Sequence, residues 1–102
     1  MDAQLKHTID KISEGGSEAV EEAVKRYGYY DQSLMVVEEC AELIDAIMKL
    51  GRSRTDAEHV CEEVADVQIM LWQMMEIYGA QNVNKWISMK LDRLKIRMGG
   101  EK

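Results

Sequence analysis

The sequence predicts an all-α domain: a helical bundle built around an antiparallel helix hairpin, completed by a C-terminal helix and by self-association. Three observations point there. Proline and phenylalanine are both absent, while Ala, Leu, Glu, Lys and Met are abundant, a balance that favours helices over strands. Glycines fall where helical runs would stop. Between them, apolar residues recur at three- and four-residue spacing. A chain of 102 residues fits one domain, residues 1–102, with a modest core. A domain that small gains by burying apolar surface against a second copy.

The elements follow in order. Residues 1–16 carry no readable pattern and are expected as an N-terminal extension. Ser17 reads as the N-cap of a helix over about 18–27, which Gly28 ends. Asp31 is placed to cap a long helix reaching Leu50, with Gly51 as its stop. Thr55-x-x-Glu58 reads as a capping box opening the next helix, which runs to Tyr78 and stops at Gly79. The last helix spans about 81–98, before Gly99-Gly100. The short turn Gly51–Arg54 makes the two central helices an antiparallel hairpin. They also resemble each other: Val36–Leu43 aligns with Val60–Val67 at an offset of 24 residues, which suggests a local two-fold arrangement.

The net charge is −6 and the isoelectric point near 4.9, so binding to nucleic-acid polymers is disfavoured. A small anionic substrate would need a cation to carry it in. Cys40 and Cys61 have no Cys-x-x-Cys spacing and read as reduced core thiols. No secretory signal opens the chain, and no apolar run reaches the ~18 residues of a membrane span. A soluble, cytoplasmic protein is expected.

Four carboxylates break the amphipathic pattern. At about 100° per residue, Val36, Cys40, Leu43 and Ile47 mark the centre of an apolar arc on the first hairpin helix, with Glu38, Asp45 and Lys49 opposite. Glu39 falls inside that arc and Glu42 at its border. On the second helix Val60, Val64, Val67, Leu71 and Tyr78 define the expected buried stripe. Glu63 lies within it and Asp66 at its edge, while Glu62 points to solvent. Spacing of i, i+3 puts each pair on one face. Residues facing each other across the turn have numbers that total 105, which holds for 39 with 66 and for 42 with 63. The four acids therefore converge at one height. So many negative charges together require protons or cations. Histidines are scarce and no Glu-x-x-His accompanies either pair, which argues against a ferritin-type di-iron centre. An all-oxygen set suits magnesium or manganese and, through magnesium, phosphate-ester or phosphoanhydride chemistry.

Glu39-x-x-Glu42, twenty residues, then Glu63-x-x-Asp66 resembles the signature of the MazG-like all-α nucleoside triphosphate pyrophosphohydrolase superfamily. The flanking text, Val-Val-Glu-Glu-Cys-Ala-Glu-Leu and Glu-Glu-Val-Ala-Asp-Val, is similar to its compact single-domain members, and the likeness spans about 31–98. The resemblance implies an enzyme that cleaves the α–β phosphoanhydride of a ribo- or deoxyribonucleoside triphosphate to a monophosphate and pyrophosphate, in nucleotide-pool house-cleaning. It implies Mg2+ as cofactor, with Mn2+ as substitute, held by Glu39, Glu42, Glu63 and Asp66 as metal and catalytic residues, and a homodimer or dimer of dimers. Lys90-x-x-Arg93 resembles the family's basic pair and would contact substrate phosphates. Met89 stands where some relatives carry asparagine, so that neighbourhood departs from the pattern.

Other residues attract weaker readings. Gln32 projects to the side of Glu39, two turns earlier, where a substrate base would lie, although a surface glutamine is the plainer expectation. Tyr27, Tyr29 and Tyr30 are expected to pack at a helix junction. His59 lies one turn before Glu63 but reads as an exposed helix-start residue, and Arg52 and Arg54 as solvated. Met70, Met74, Met75 and Trp72 read as core or subunit interface. The competing function is a non-catalytic helical dimer acting as a regulatory or partner-binding module. A plain divalent-cation binder comes third.

Overall fold

The computed structural model describes residues 2–100. Among them are five helices and no strand: α1 (Ala3–Ser13), α2 (Ser17–Tyr27), α3 (Tyr29–Gly51), α4 (Ala57–Tyr78) and α5 (Ala80–Gly100).

α1 occupies the stretch in which the sequence showed no pattern. Asp2 caps it, one side-chain oxygen accepting the Leu5 N–H at 2.7 Å, and Lys6 pairs with Asp10 one turn along at 2.9 Å. The chain reverses through Gly15 and Gly16, both left-handed at φ 63° and 61°. Their bare backbone lies against the Trp72 ring, whose atoms are 3.6 Å from where a Cβ would stand. Gly16, not Ser17, is therefore the N-cap of α2, and no side chain caps it.

α3 begins three residues earlier than the sequence suggested, its N-cap being Gly28 and not Asp31. Gly28, at φ 84°, forms the whole joint between α2 and α3, and Asp31 lies in the first turn, where the helix dipole favours an acid. Gly51 stays helical, and the reversal falls on Arg52 and Ser53, the latter at φ 57°. At the other side of the turn the cap is Asp56, whose carboxylate accepts the His59 N–H at 2.9 Å. The expected Thr55–Glu58 box is displaced because Asp56, in extended backbone, reaches the helix's open N–H first.

α3 and α4 form the principal packed pair, with α2 crossing α4 and touching α3. Val20, Ala46 and Met70 are the buried apolar residues among those described. Ala46, with no exposed surface, has only a methyl group to hold the hairpin helices apart. The predicted stripes are only partly covered. Val36, Cys40 and Leu43 are half-buried, but Ile47, Val64, Leu71 and Tyr78 are exposed. On α5 the stripe Val83, Ile87, Leu91, Leu94 and Met98 is exposed except for half-buried Val83. The physical reason is that one chain supplies no element to lie over these faces. The radius of gyration, 16.4 Å, accordingly exceeds the ~13 Å of a compact domain this long. Among the described residues no helix is long and apolar enough to cross a membrane.

Candidate metal centre

The centre is made by the middle of the hairpin. Glu39 projects from α3 towards α4, and Glu63 and Asp66 project from α4 towards α3. One carboxylate oxygen from each lies within 4.8 Å of the other two. Glu63 is buried, Glu39 half-buried and Asp66 exposed, so the cluster runs from the interhelical space to solvent. Glu38 and Glu62 are exposed, as their projection required.

Electrostatics are adverse. Burial first, then the charges of Glu42, Asp66, Glu63 and Glu38, push the Glu39 carboxyl above its ordinary value. Glu63 is raised in the same way, by burial, then by Glu42 and Asp66, with His59 acting in the opposite direction. His59 is half-buried, its Nε2 4.0 Å from Glu63 Oε1. Sequence reading underrated it, although its position four residues before Glu63 was the available signal. Glu42 is exposed and outside the three-oxygen cluster, while its charge still bears on Glu39 and Glu63.

Glu39 Oε2 and Glu63 Oε2 are out of solvent without a hydrogen-bond partner. Buried carboxylate oxygens without donors are costly, and no lysine or arginine is among the main charges acting on them. A hard cation fits this set. Two oxygens on opposite sides of one magnesium lie about 4.2 Å apart, close to the spread of the cluster. Oxygen-only ligands favour magnesium or manganese over softer metals.

Gln32 is not a surface residue. It is buried, and its Nε2 donates to Gln73 Oε1 at 2.6 Å, while Gln73 Nε2 contacts Met70 Sδ at 3.4 Å. Lys90 and Arg93 lie exposed on α5 and do not join the acids within this chain. Tyr27, Tyr29 and Tyr30 are exposed and do not pack at the α2–α3 joint, since Gly28 alone turns the chain there. Cys61 is exposed and Cys40 half-buried, both free thiols, so only the unpaired state matches the expected core cysteines. An apolar groove of about 840 Å³ runs between α1–α2 and α4, lined by Ile12, Val20, Val64, Ile69 and Trp72. It lies on the face of α4 opposite Glu63 and contains no carboxylate, so it is separate from the acidic cluster.

Residues 31–93 match the MazG nucleotide pyrophosphohydrolase domain. The matched segment contains all four acids, Gln32, Lys90 and Arg93, while α1 and α2 precede it. Comparison with curated proteins and with solved structures gave no match. The match covers more than half of the chain and holds the whole acidic hairpin, and on that ground the chain belongs to the MazG nucleotide pyrophosphohydrolase domain family.

Proposed function

We propose that this protein is a magnesium-dependent nucleoside triphosphate pyrophosphohydrolase, cleaving the α–β phosphoanhydride of a ribo- or deoxyribonucleoside triphosphate to a monophosphate and pyrophosphate. The observation that carries the reading is the pair of unbonded, buried oxygens on Glu39 and Glu63, beside Asp66. Family membership supports pyrophosphohydrolase chemistry at that place.

Glu39, Glu63 and Asp66 would hold the cation, with Glu42 at their open side. Magnesium, or manganese in its stead, would supply there the positive charge that offsets the phosphates and polarises a phosphoryl group. Glu42, exposed beside the cluster, would take the proton of the attacking water in this reading. His59, its Nε2 4.0 Å from Glu63 Oε1, would oppose the upward push on that carboxyl. The acidic body of the protein repels nucleic-acid polymers and leaves a single small substrate as the partner. The cytoplasm, where nucleotide pools reside, is the compartment such an activity serves.

The functional form in this reading is a homodimer, or a pair of dimers. A compact monomer of this mass exposes about 5,900 Å², whereas the chain exposes 8165 Å². The excess, about 2,300 Å² per copy, falls in the range of obligate interfaces. Assembly would give α5 a surface to lie on, and in this reading it is what would bring Lys90 and Arg93 to the β- and γ-phosphates.

Pyrophosphate release from a panel of ribo- and deoxyribonucleoside triphosphates, with magnesium and with EDTA, tests the reading. Metal-dependent release that disappears in folded Glu39→Gln and Glu63→Gln proteins is the expected result. No release from any nucleotide by folded, assembled protein would leave the non-catalytic dimer in its place.

A further inference from the structure

We infer that the buried Gln32–Gln73 pair is a positioning device, a register lock that keeps the carboxylates of α3 and α4 level. The inference rests on the metal-centre reading of those carboxylates.

Gln32 and Gln73 retain 7% and 4% of their surface, in a protein where only three apolar residues are similarly buried among those described. Among the described residues no other side-chain hydrogen bond joins α3 to α4. The two amides are thus among the least exposed side chains of the hairpin, with Gln73 also lining the apolar groove. Stability does not explain this. A net amide hydrogen bond contributes little once desolvation is counted, and replacing both partners by apolar groups of similar shape is neutral or stabilising. What a buried polar pair does supply is register, as single polar residues do in coiled-coil seams.

The hairpin needs such a device. The stripes of α3 and α4 are mostly aliphatic and alike over eight residues, Val36–Leu43 resembling Val60–Val67, so that stretch discriminates poorly between one axial alignment and a neighbouring one. The turn fixes the alignment at one end, through Asp56 and the Arg54 N–H to Lys49 carbonyl bond of 2.9 Å. Gln32 stands seven residues before Glu39, and Gln73 seven after Asp66. That is two turns on each helix, about 10.5 Å. The acids therefore lie between two anchors. A slip of one turn, about 5.4 Å, would strand both amides in a dry interface and carry Glu39 away from Glu63 and Asp66, beyond the reach of one cation.

The test uses the full chain and three proteins: wild type, Gln73→Leu, and Gln32→Leu/Gln73→Leu. Mn2+ affinity is measured by titration, and the unfolding midpoint is measured in EDTA. Nitroxides on the native thiols Cys40 and Cys61, one on each hairpin helix, give the α3–α4 distance in samples diluted with unlabelled protein. The expected result is a split. The double variant melts at or above wild type, binds Mn2+ at least tenfold more weakly and shows a broadened distance distribution. The single variant melts lower, because one amide is left unbonded. A double variant with wild-type Mn2+ affinity and an unchanged distance overturns the lock. If wild type binds no Mn2+, the metal-centre reading fails, and the distance distribution alone still decides whether the pair sets register.

Discussion

Glu39 and Glu63 face each other across α3 and α4 with one oxygen each, Oε2, hidden from solvent and unbonded. Each carboxylate is held above its ordinary value by burial and by its acidic neighbours. An arrangement that opposes folding in the middle of the best-packed helix pair is typical of a functional site, where local rules give way to chemistry. Its consequences can be measured without any substrate.

The first concerns pH. A carboxyl whose value is higher in the folded protein than in the unfolded chain binds its proton more tightly when folded. Its contribution is present in full below the unfolded value and is lost as pH rises through the folded one. In EDTA, the thermal midpoint is therefore expected to fall as pH is raised from about 4.5, the ordinary glutamate value, to beyond the raised values of Glu39 and Glu63. Magnesium or manganese should abolish that fall by neutralising the ionised pair. A metal-free midpoint that climbs steadily across the same window would contradict the assigned shifts.

Removing one charge should separate stability from function. In EDTA at neutral pH, Glu39→Gln and Glu63→Gln are each expected to melt above wild type, since a neutral amide relieves the repulsion at the cluster. Added Mg2+ should raise the wild-type midpoint and leave both variants unmoved. Pyrophosphate release should drop by roughly 10²- to 10³-fold, the usual scale for losing one electrostatic element of a site. Differential scanning fluorimetry beside a pyrophosphate assay reads both effects on the same samples.

The carboxylate cluster was legible in the sequence because helical periodicity and a short turn are local rules, and Glu39, Glu63 and Asp66 obey them in space. Gln32 and Gln73 were not, because a polar residue at the rim of an apolar arc reads equally as wet or as paired. Only the partner 41 residues away tells which. α1 escaped notice because its apolar stripe, Leu5, Ile9 and Ile12, is only three residues long, and its cap, Asp2, and ion pair, Lys6–Asp10, are single local contacts. Burial was the poorest expectation. Val64, Leu71, Tyr78 and the α5 stripe have the periodicity of covered residues, and periodicity says that a face is apolar without saying which chain covers it.

The displaced cap supplies a local check. Asp56→Ala is expected to cost about 1 kcal/mol, the usual loss when an N-cap side chain is truncated, and Thr55→Ala to fall within ~0.5 kcal/mol of wild type. Urea unfolding with matched slopes makes the comparison. Equal losses at the two positions would return the cap to Thr55 and its capping box.

The outer face of α3 makes the strongest statement about assembly. Leu34, Val37, Ala41, Ile44 and Met48 repeat at alternating three- and four-residue spacing, the spacing of a coiled-coil seam, on the side of α3 turned away from Glu39. All five are exposed, Val37 at 65% and Ile44 at 64%. A helix that is apolar towards its own hairpin partner and apolar again on the opposite side is made to be covered twice. Wild type is therefore expected to sediment as a dimer or larger at micromolar concentration. Val37→Glu/Ile44→Glu should shift it towards monomer, with a lower unfolding midpoint and a parallel loss of pyrophosphate release, although neither residue belongs to the acidic cluster. Sedimentation equilibrium across a hundredfold range of concentration checks this. A wild-type protein that stays monomeric throughout, with full activity, would show that α3's outer face has no second copy to meet.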